Sequence, residues 1–213
     1  MLRAFEVSQT QANSDSLTGL MTRRSLEAAV RELHATGTGY AVAYGDLDHF
    51  KRLNDTFGHA AGDRALRTFS QVLRDSLRPA DISGRYGGEE FVILLPECPI
   101  DEARLVLERV RARLAERIVV ADLPPFTVSF GLASSDQAPT FEDAVALADA
   151  ALLHAKAGGR DRVVVAGGAG GADPASDAVM AGDASPDGVE EAGAVNGNGN
   201  GSSGAGAREP QHH

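Results

Sequence analysis

The sequence predicts a mixed α/β (α+β) sandwich, with helices flanking a sheet that is partly antiparallel. Three observations lead there. Apolar residues recur at helical spacing in several separate segments, β-prone runs fall between them, and two of those runs are separated only by Gly87-Gly88, a two-residue hairpin signal.

A first helix is expected over 17–35, where Leu20, Leu26, Ala29, Val30 and Leu33 recur at helical spacing before Gly37 and Gly39 close the segment. The β-prone run 40–44 ends at Gly45-Asp46, which puts Asp46 and Asp48 at the end of a strand. A short helix is expected from His49 and a longer one over about 62–77, stopped because Pro79 disfavours helix at Arg78. Residues 82–86 and 89–95 form the arms of the hairpin. Its Gly-Gly turn is expected to be of type I′, in which both central residues take positive φ. Residues 100–118 carry Ala103, Leu107, Val110 and Leu114 on one helical stripe, and 126–133 alternate as a strand. Thr140-Phe-Glu-Asp143 resembles a capping box, with Asp in the place usual for Glu or Gln. It opens a helix reaching Lys156, which Gly158-Gly159 ends, and 163–165 form a last strand.

Composition divides the chain. Residues 1–13 read as a short leader and 14–165 as the globular part. From Ala166 to the end the sequence is Gly, Ala, Ser, Asn and Asp with almost no large apolar side chains, too few to offset chain entropy, so 166–213 reads as a disordered acidic tail. The net charge of −10 works against affinity for nucleic acid or anionic membrane. A lone cysteine, Cys98, permits no internal disulfide, and no His/Cys cluster has zinc-ligand spacing. No secretory pattern opens the chain and no stretch is apolar enough to span a bilayer, so a cytoplasmic protein is expected.

The chemistry centres on RYGGEEFVILL, from Arg85 to Leu95, which crowds two glutamates onto a turn. If the strand ending in Asp46 and Asp48 lies beside this hairpin, three or four carboxylates, with Glu89 and Glu90 among them, converge. Left uncompensated, such a cluster repels itself and raises its pKa values. A hard divalent cation removes the conflict, because magnesium takes carboxylate and phosphate oxygens together. The bland alternative is a solvated hairpin tip. Next, Asp48-His49-Phe50-Lys51 runs straight into a helix, whose free N–H groups and early lysine suit a triphosphate, although Lys51 and Arg52 could equally face water. Asn54 and Asp63 match the hydrogen-bonding edge of guanine in type, and are equally ordinary loop or cap residues. Lys156 and Arg160 complement a helix C-terminus. Arg78 and Asp81 could pair with each other, with a ligand, or with nothing.

These residues together resemble the GGDEF family, the diguanylate cyclases. Gly87-Gly88-Glu89-Glu90-Phe91 is similar to its signature, in the GGEEF variant. The rest of the family pattern stands in order: Asp15-Ser-Leu-Thr18-Gly-Leu with Arg23-Arg24, Asp46-Leu-Asp48-His-Phe50-Lys51, Asn54-Asp55, Phe57-Gly58-His59, Gly62-Asp63, Arg85-Tyr86, Ser129-Phe-Gly131, Ala148-Asp149, and Ala155-Lys156 leading to Gly159-Arg160. The resemblance covers 14–165.

It implies a cyclase and polymerase-palm-like sandwich, its mostly antiparallel central sheet carrying the signature on a hairpin. It also implies that Asp46, the Leu47 carbonyl and Glu89, with Glu90 nearby, hold magnesium, with manganese as the alternative ion. Asn54 and Asp63 would read guanine. The N–H groups around His49 and Phe50, with Lys51, Lys156 and Arg160, would hold the triphosphate of GTP, while Gly87 and Gly88 let substrate approach the backbone. Glu89 and Lys51 would be the catalytic residues. Two subunits facing each other as a homodimer would join two GTP into cyclic di-GMP. Arg78-Pro-Ala-Asp81 matches the R-x-x-D element through which such enzymes bind product as an inhibitor. The sequence departs from the family pattern at Thr22, Gly45, Leu153 and Asp161, none of them an implied ligand. The alternative is a catalytically silent receptor for GTP or cyclic di-GMP that signals through a partner. A third reading, a scaffold with a merely structural acidic hairpin, requires the whole motif set to be coincidence.

Overall fold

The computed structural model describes residues 13–167. The expected leader and tail lie almost entirely outside the described residues. In chain order the elements are β1 (Met21–Thr22), α1 (Arg23–Thr36), β2 (Tyr40–Leu47), α2 (Phe50–Phe57), α3 (His59–Ser76), β3 (Ile82–Arg85), β4 (Glu90–Pro96), α4 (Ile100–Val120), β5 (Val128–Ser134), a 3-10 turn (Ser135–Gln137), α5 (Phe141–Ala157) and β6 (Val163–Val165). They form one six-stranded sheet in the order β1-β3-β4-β2-β5-β6. The three inner pairings, β3 with β4, β4 with β2 and β2 with β5, are antiparallel, and the two outer ones are parallel.

β2 sits between β4 and β5, and all eight of its residues are buried. Pairing on both edges carries the strand through Gly45, Asp46 and Leu47, past the point where β propensity alone ends it. One face of the sheet packs on α2, α3 and α4, around Phe69, Phe91 and Phe130. The rings of Phe69 and Phe91 meet edge to face, with centroids 4.7 Å apart. The other face packs on α1 and α5, through Leu26, Val30, Phe141, Ala148 and Leu152. Contact there is close at Gly131, where a Cβ would overlap the backbone of α5 at Ala148 and Leu152.

Three local expectations are corrected. The first helix starts at Arg23, not near residue 17, because the Asp15 carboxylate collects both the N–H (2.9 Å) and the hydroxyl (2.6 Å) of Thr18 into a turn, and Thr22 then caps the helix. The box at Thr140 is incomplete: Thr140 Oγ1 accepts from the Asp143 N–H (3.1 Å), but Asp143 takes the Thr140 hydroxyl proton (2.6 Å) in place of a backbone N–H. The signature turn is not type I′. Neither Gly87 nor Gly88 takes a positive φ, and Tyr86 and Gly87 both donate to the Glu90 carbonyl, at 2.8 and 3.3 Å.

Long-range bonds shape that turn instead. The Leu47 N–H donates to the Glu89 carbonyl (3.3 Å), tying the loop to β2. Arg85 donates to the Gly88 carbonyl from Nε (3.0 Å) and Nη2 (2.6 Å), and its Nη1 lies 3.2 Å from Asp15 Oδ1. Asp15 thereby braces the signature loop from 70 residues away in sequence. Burial alone would raise the Asp15 carboxyl, but the Thr18 and Arg85 contacts overturn it and hold the group below its ordinary value.

Two outcomes follow from these contacts. Gly131→Ala pushes α5 off the sheet and costs about 3 kcal/mol, measured by urea unfolding. Asp15→Asn keeps an acceptor for Thr18 but loses the charge, costing about 1 kcal/mol at pH 7. Because the folded pKa of Asp15 is depressed, its contribution is present above the ordinary carboxylate value and is lost as pH falls below that value and through the lower folded one. The stabilities of Asp15→Asn and the parent chain therefore converge on acidification.

Candidate active site

The carboxylates do meet, but in two separate groups. Asp46, in β2, stands opposite Glu90 of β4 and Ser129 of β5. It is buried, and the ion pair it makes is with Lys156 of α5, Nζ to Oδ1 at 3.0 Å. Burial pushes its pKa up; Lys156 opposes the rise, and the charges of Glu90 and Asp48 add to it. Glu89 is pushed up as well, by burial and then by Asp46. Glu90 folds back over Gly87, where an added Cβ would strike its carboxylate, and it adds to the burial that raises the Tyr44 hydroxyl. Nothing lies within 4 Å of a Cβ built on Gly88, so that face of the loop is open.

Asp48 turns away from this group. Its carboxylate accepts from Thr127 Oγ1 (2.6 Å), Ser129 Oγ (2.8 Å) and the Asp161 N–H (3.1 Å). Of the four carboxylates it is the one that stays out of the cluster: next to β5 it finds hydroxyl donors and needs no cation.

α2 begins immediately beyond. His49, exposed and left-handed at φ 57°, precedes it without a side-chain cap, so the first-turn N–H groups at Phe50 and Lys51 have no side chain covering them. Lys51 is exposed in that turn, and Phe50 is buried beneath it. One turn on, the Asn54 side chain rests against Gly62 of α3, where there is no room for a Cβ, and its Oδ1 is buried without a hydrogen-bond partner. An orphaned acceptor of this kind is uncommon in a folded chain and points to a donor supplied from outside. Asp63 lies near it on α3, half-exposed, with Arg67 at 3.9 Å.

Lys156 lies in the last turn of α5, and Arg160 follows in a turn with φ 61°. The Arg160 N–H donates to the Ala155 carbonyl (2.9 Å), continuing the helix end. Arg78 and Asp81 stand apart from all of this, at the far end of the β3–β4 hairpin. They pair with each other: Arg78 Nε reaches Asp81 Oδ1 at 2.7 Å, the Arg78 N–H reaches Oδ2 at 3.0 Å, and the guanidinium also meets the Pro96 carbonyl.

Among the described residues, no three His, Cys, Asp or Glu side chains are grouped so as to hold an ion by themselves. Asp46 and Glu89, with the Leu47 carbonyl, offer hard oxygen donors but not a full octahedron. That set fits magnesium, which keeps waters and takes substrate phosphates as ligands, and does not fit an all-protein cage.

Asp15 and Arg85 are supports of the site to which the sequence assigned no role, and Asp48, a candidate for the acidic cluster, proves to be a support as well. All three lie inside quoted motifs, but only tertiary contacts reveal what they hold.

The fold and site were compared with known proteins. The family described as diguanylate cyclase, GGDEF domain, matches residues 12–162. The chain is 41% identical over 168 residues to the diguanylate cyclase DgcP of Pseudomonas aeruginosa, and 36% identical over 168 residues to DgcM of Escherichia coli. The alignments take in 76% and 77% of this chain, but only 25% of DgcP and 41% of DgcM. Among solved structures, the coiled coil and GGDEF domain of DgcB from Caulobacter crescentus, in complex with c-di-GMP, matches with a TM-score of 0.71 at 30% identity, covering 78% of this chain and 91% of that one. With its six-stranded sheet, its signature hairpin and a family match over most of its length, the chain belongs to the GGDEF family.

Proposed function

We propose that this chain is a diguanylate cyclase that condenses two GTP into cyclic di-GMP and releases two pyrophosphates, working as a homodimer with magnesium or manganese. The observation that carries the reading is Asp46 in register with Glu90 and ion-paired to Lys156, beside an uncapped helix start bearing Lys51. The names of the curated relatives support the same activity.

On this reading Asn54 Oδ1 accepts from the guanine N–H edge, and the Asp63 carboxylate takes a second donor. The N–H groups at His49 and Phe50, with Lys51, Lys156 and Arg160, hold the triphosphate. Gly88, whose face of the loop is open, lets its ribose end approach, whereas Gly87, the other glycine expected there, is covered by the Glu90 carboxylate. Asp46, Glu89 and the Leu47 carbonyl, with Glu90 nearby, would hold the metal, which when bound offsets phosphate charge and eases deprotonation of a hydroxyl.

The 3′-oxygen bound to one subunit attacks the α-phosphorus held by the other. The bond from that phosphorus to the bridging oxygen breaks, and pyrophosphate leaves with the electron pair. Glu89 is the candidate to take the 3′-hydroxyl proton. Lys51 answers the charge that develops on the phosphate oxygens. Repetition in the opposite sense closes the ring. Membrane attachment is not part of this reading, and no helix among the described residues is long and apolar enough to cross a bilayer.

Arg78 and Asp81 are proposed as the product-binding inhibitory site. Asp81 is already engaged, with its side chain 4% exposed, whereas that of Arg78 is 50% exposed. A planar guanidinium half open to solvent can stack on a guanine or grip a phosphate while Asp81 holds it in place.

Purified chain given GTP and magnesium at high protein concentration is expected to yield cyclic di-GMP, read by chromatography. Binding of GTP without turnover would favour the silent receptor instead. Glu89→Gln is expected to lower kcat at least about 100-fold; full activity in that variant would remove its proposed role. Arg78→Ala is expected to let product accumulate several-fold higher before the reaction stops, and unchanged inhibition by added cyclic di-GMP would count against the inhibitory site.

A further inference from the structure

We propose that Asp48 is a positioning residue: it pins the turn after α5 and so holds Arg160 at the phosphate end of the site. The inference rests on the reading of Lys156 and Arg160 as triphosphate ligands. Three contacts carry it, together with an unusual backbone. Asp48 is 3% exposed and lies just past β2. Oδ1 accepts from Ser129 Oγ (2.8 Å), and Oδ2 accepts from Thr127 Oγ1 (2.6 Å) and from the Asp161 N–H (3.1 Å). The Asp48 N–H donates to the Thr127 carbonyl (2.9 Å), so the backbone is fixed as well.

What it grips is a strained turn. Arg160 and Asp161, neither a glycine, are both left-handed, with φ of 61° and 47°. Each costs on the order of 1 kcal/mol, and two in succession persist only where the surroundings over-determine them. Three sets of contacts do so. Asp48 holds the Asp161 N–H, Arg111 holds the Asp161 carboxylate through Nε (3.1 Å) and Nη2 (2.7 Å), and the Ala155 carbonyl holds the Arg160 N–H (2.9 Å). The strand that presents Asp46 therefore also fixes the segment that presents Arg160. One strand end sets both the metal-binding carboxylate and a phosphate-binding cation, two residues apart on one side and across 113 positions of sequence on the other.

The test uses the full chain with magnesium and a GTP analogue carrying a methylene bridge between the α- and β-phosphorus, beside GMP as a probe of the guanine end alone. Asp48→Ala is expected to weaken the analogue roughly tenfold, as expected for losing a charged hydrogen bond, and to leave GMP affinity within about twofold. Adding Arg160→Ala should then cost almost nothing further, because both changes remove one contact. Amide exchange over 158–162 should quicken in Asp48→Ala with or without nucleotide. An unchanged analogue affinity, or losses that multiply in the double variant, overturns the positioning role. If the parent chain itself binds no analogue, the triphosphate reading fails, while exchange in the turn still judges what Asp48 holds. Should Asp48→Ala not fold, Asp48→Asn keeps one acceptor oxygen and is expected to show a smaller loss in the same direction; no loss there overturns the role equally.

Discussion

A carboxylate at the end of a strand buried on both faces must be answered by whatever packs around it. β2 is such a strand, hydrogen-bonded on both edges and covered by helices on both sides, and it ends in Asp46-Leu47 with Asp48 directly after. Water reaches neither acidic group freely, since both residues are buried. Leaving a charge there without partners would cost several kcal/mol. The neighbouring elements are arranged to meet that demand: α5 delivers Lys156, β5 and the residue just before it deliver the hydroxyls of Ser129 and Thr127, and the turn after α5 delivers a backbone N–H.

The two carboxylates receive different answers, and the difference separates support from chemistry. Asp48 has three short donors and no remaining conflict, so it behaves as a fixed joint. Asp46 has one ammonium, and burial keeps its pKa and that of Glu89 raised, with Glu90 and Asp48 adding to the first and Asp46 to the second. A group left in that condition is poorly stabilised in the protein alone and gains most from a further cation. Stability at this point of the fold and reactivity at the proposed site are therefore in direct opposition, as is common where like charges are gathered for use.

Much of the architecture was legible because the period of the apolar residues reports the element directly. The stripe on α4 and the alternation in β5 needed no tertiary information, and the helix, strand and hairpin order followed. The hairpin's turn was not legible. Gly87-Gly88 satisfies the local rule for a type I′ turn, yet Arg85 and Leu47 bond the loop from outside and impose another geometry. The internal pairing of Arg78 with Asp81 was only one of three options at the level of sequence, because nothing local tells a salt bridge from an open ligand site. Gly45 looked like a departure from the family pattern and proves to be packing: the Phe130 ring occupies the space that a side chain there would need. That compensation joins residues 85 positions apart, and single-sequence reading has no access to it.

The pairing of Lys156 with Asp46 bears on how substrate would enter the proposed site. An ammonium 3.0 Å from a carboxylate cannot at the same time give its full charge to a phosphate. If Lys156 turned to the triphosphate with nothing replacing it, Asp46 would be left buried beside Glu89 and Glu90 with no cation at all. Phosphate would then approach a wholly negative wall. On the proposed function, Asp46 and Glu89 would hold a dication brought with the nucleotide in place of Lys156, and its charge would offset that of the phosphate as well. Metal and nucleotide are then expected to bind with strong mutual dependence, each weak alone, since either by itself leaves one side of the exchange unpaired. On that reading the lysine would be a placeholder, making a cluster of like charges tolerable in the protein alone.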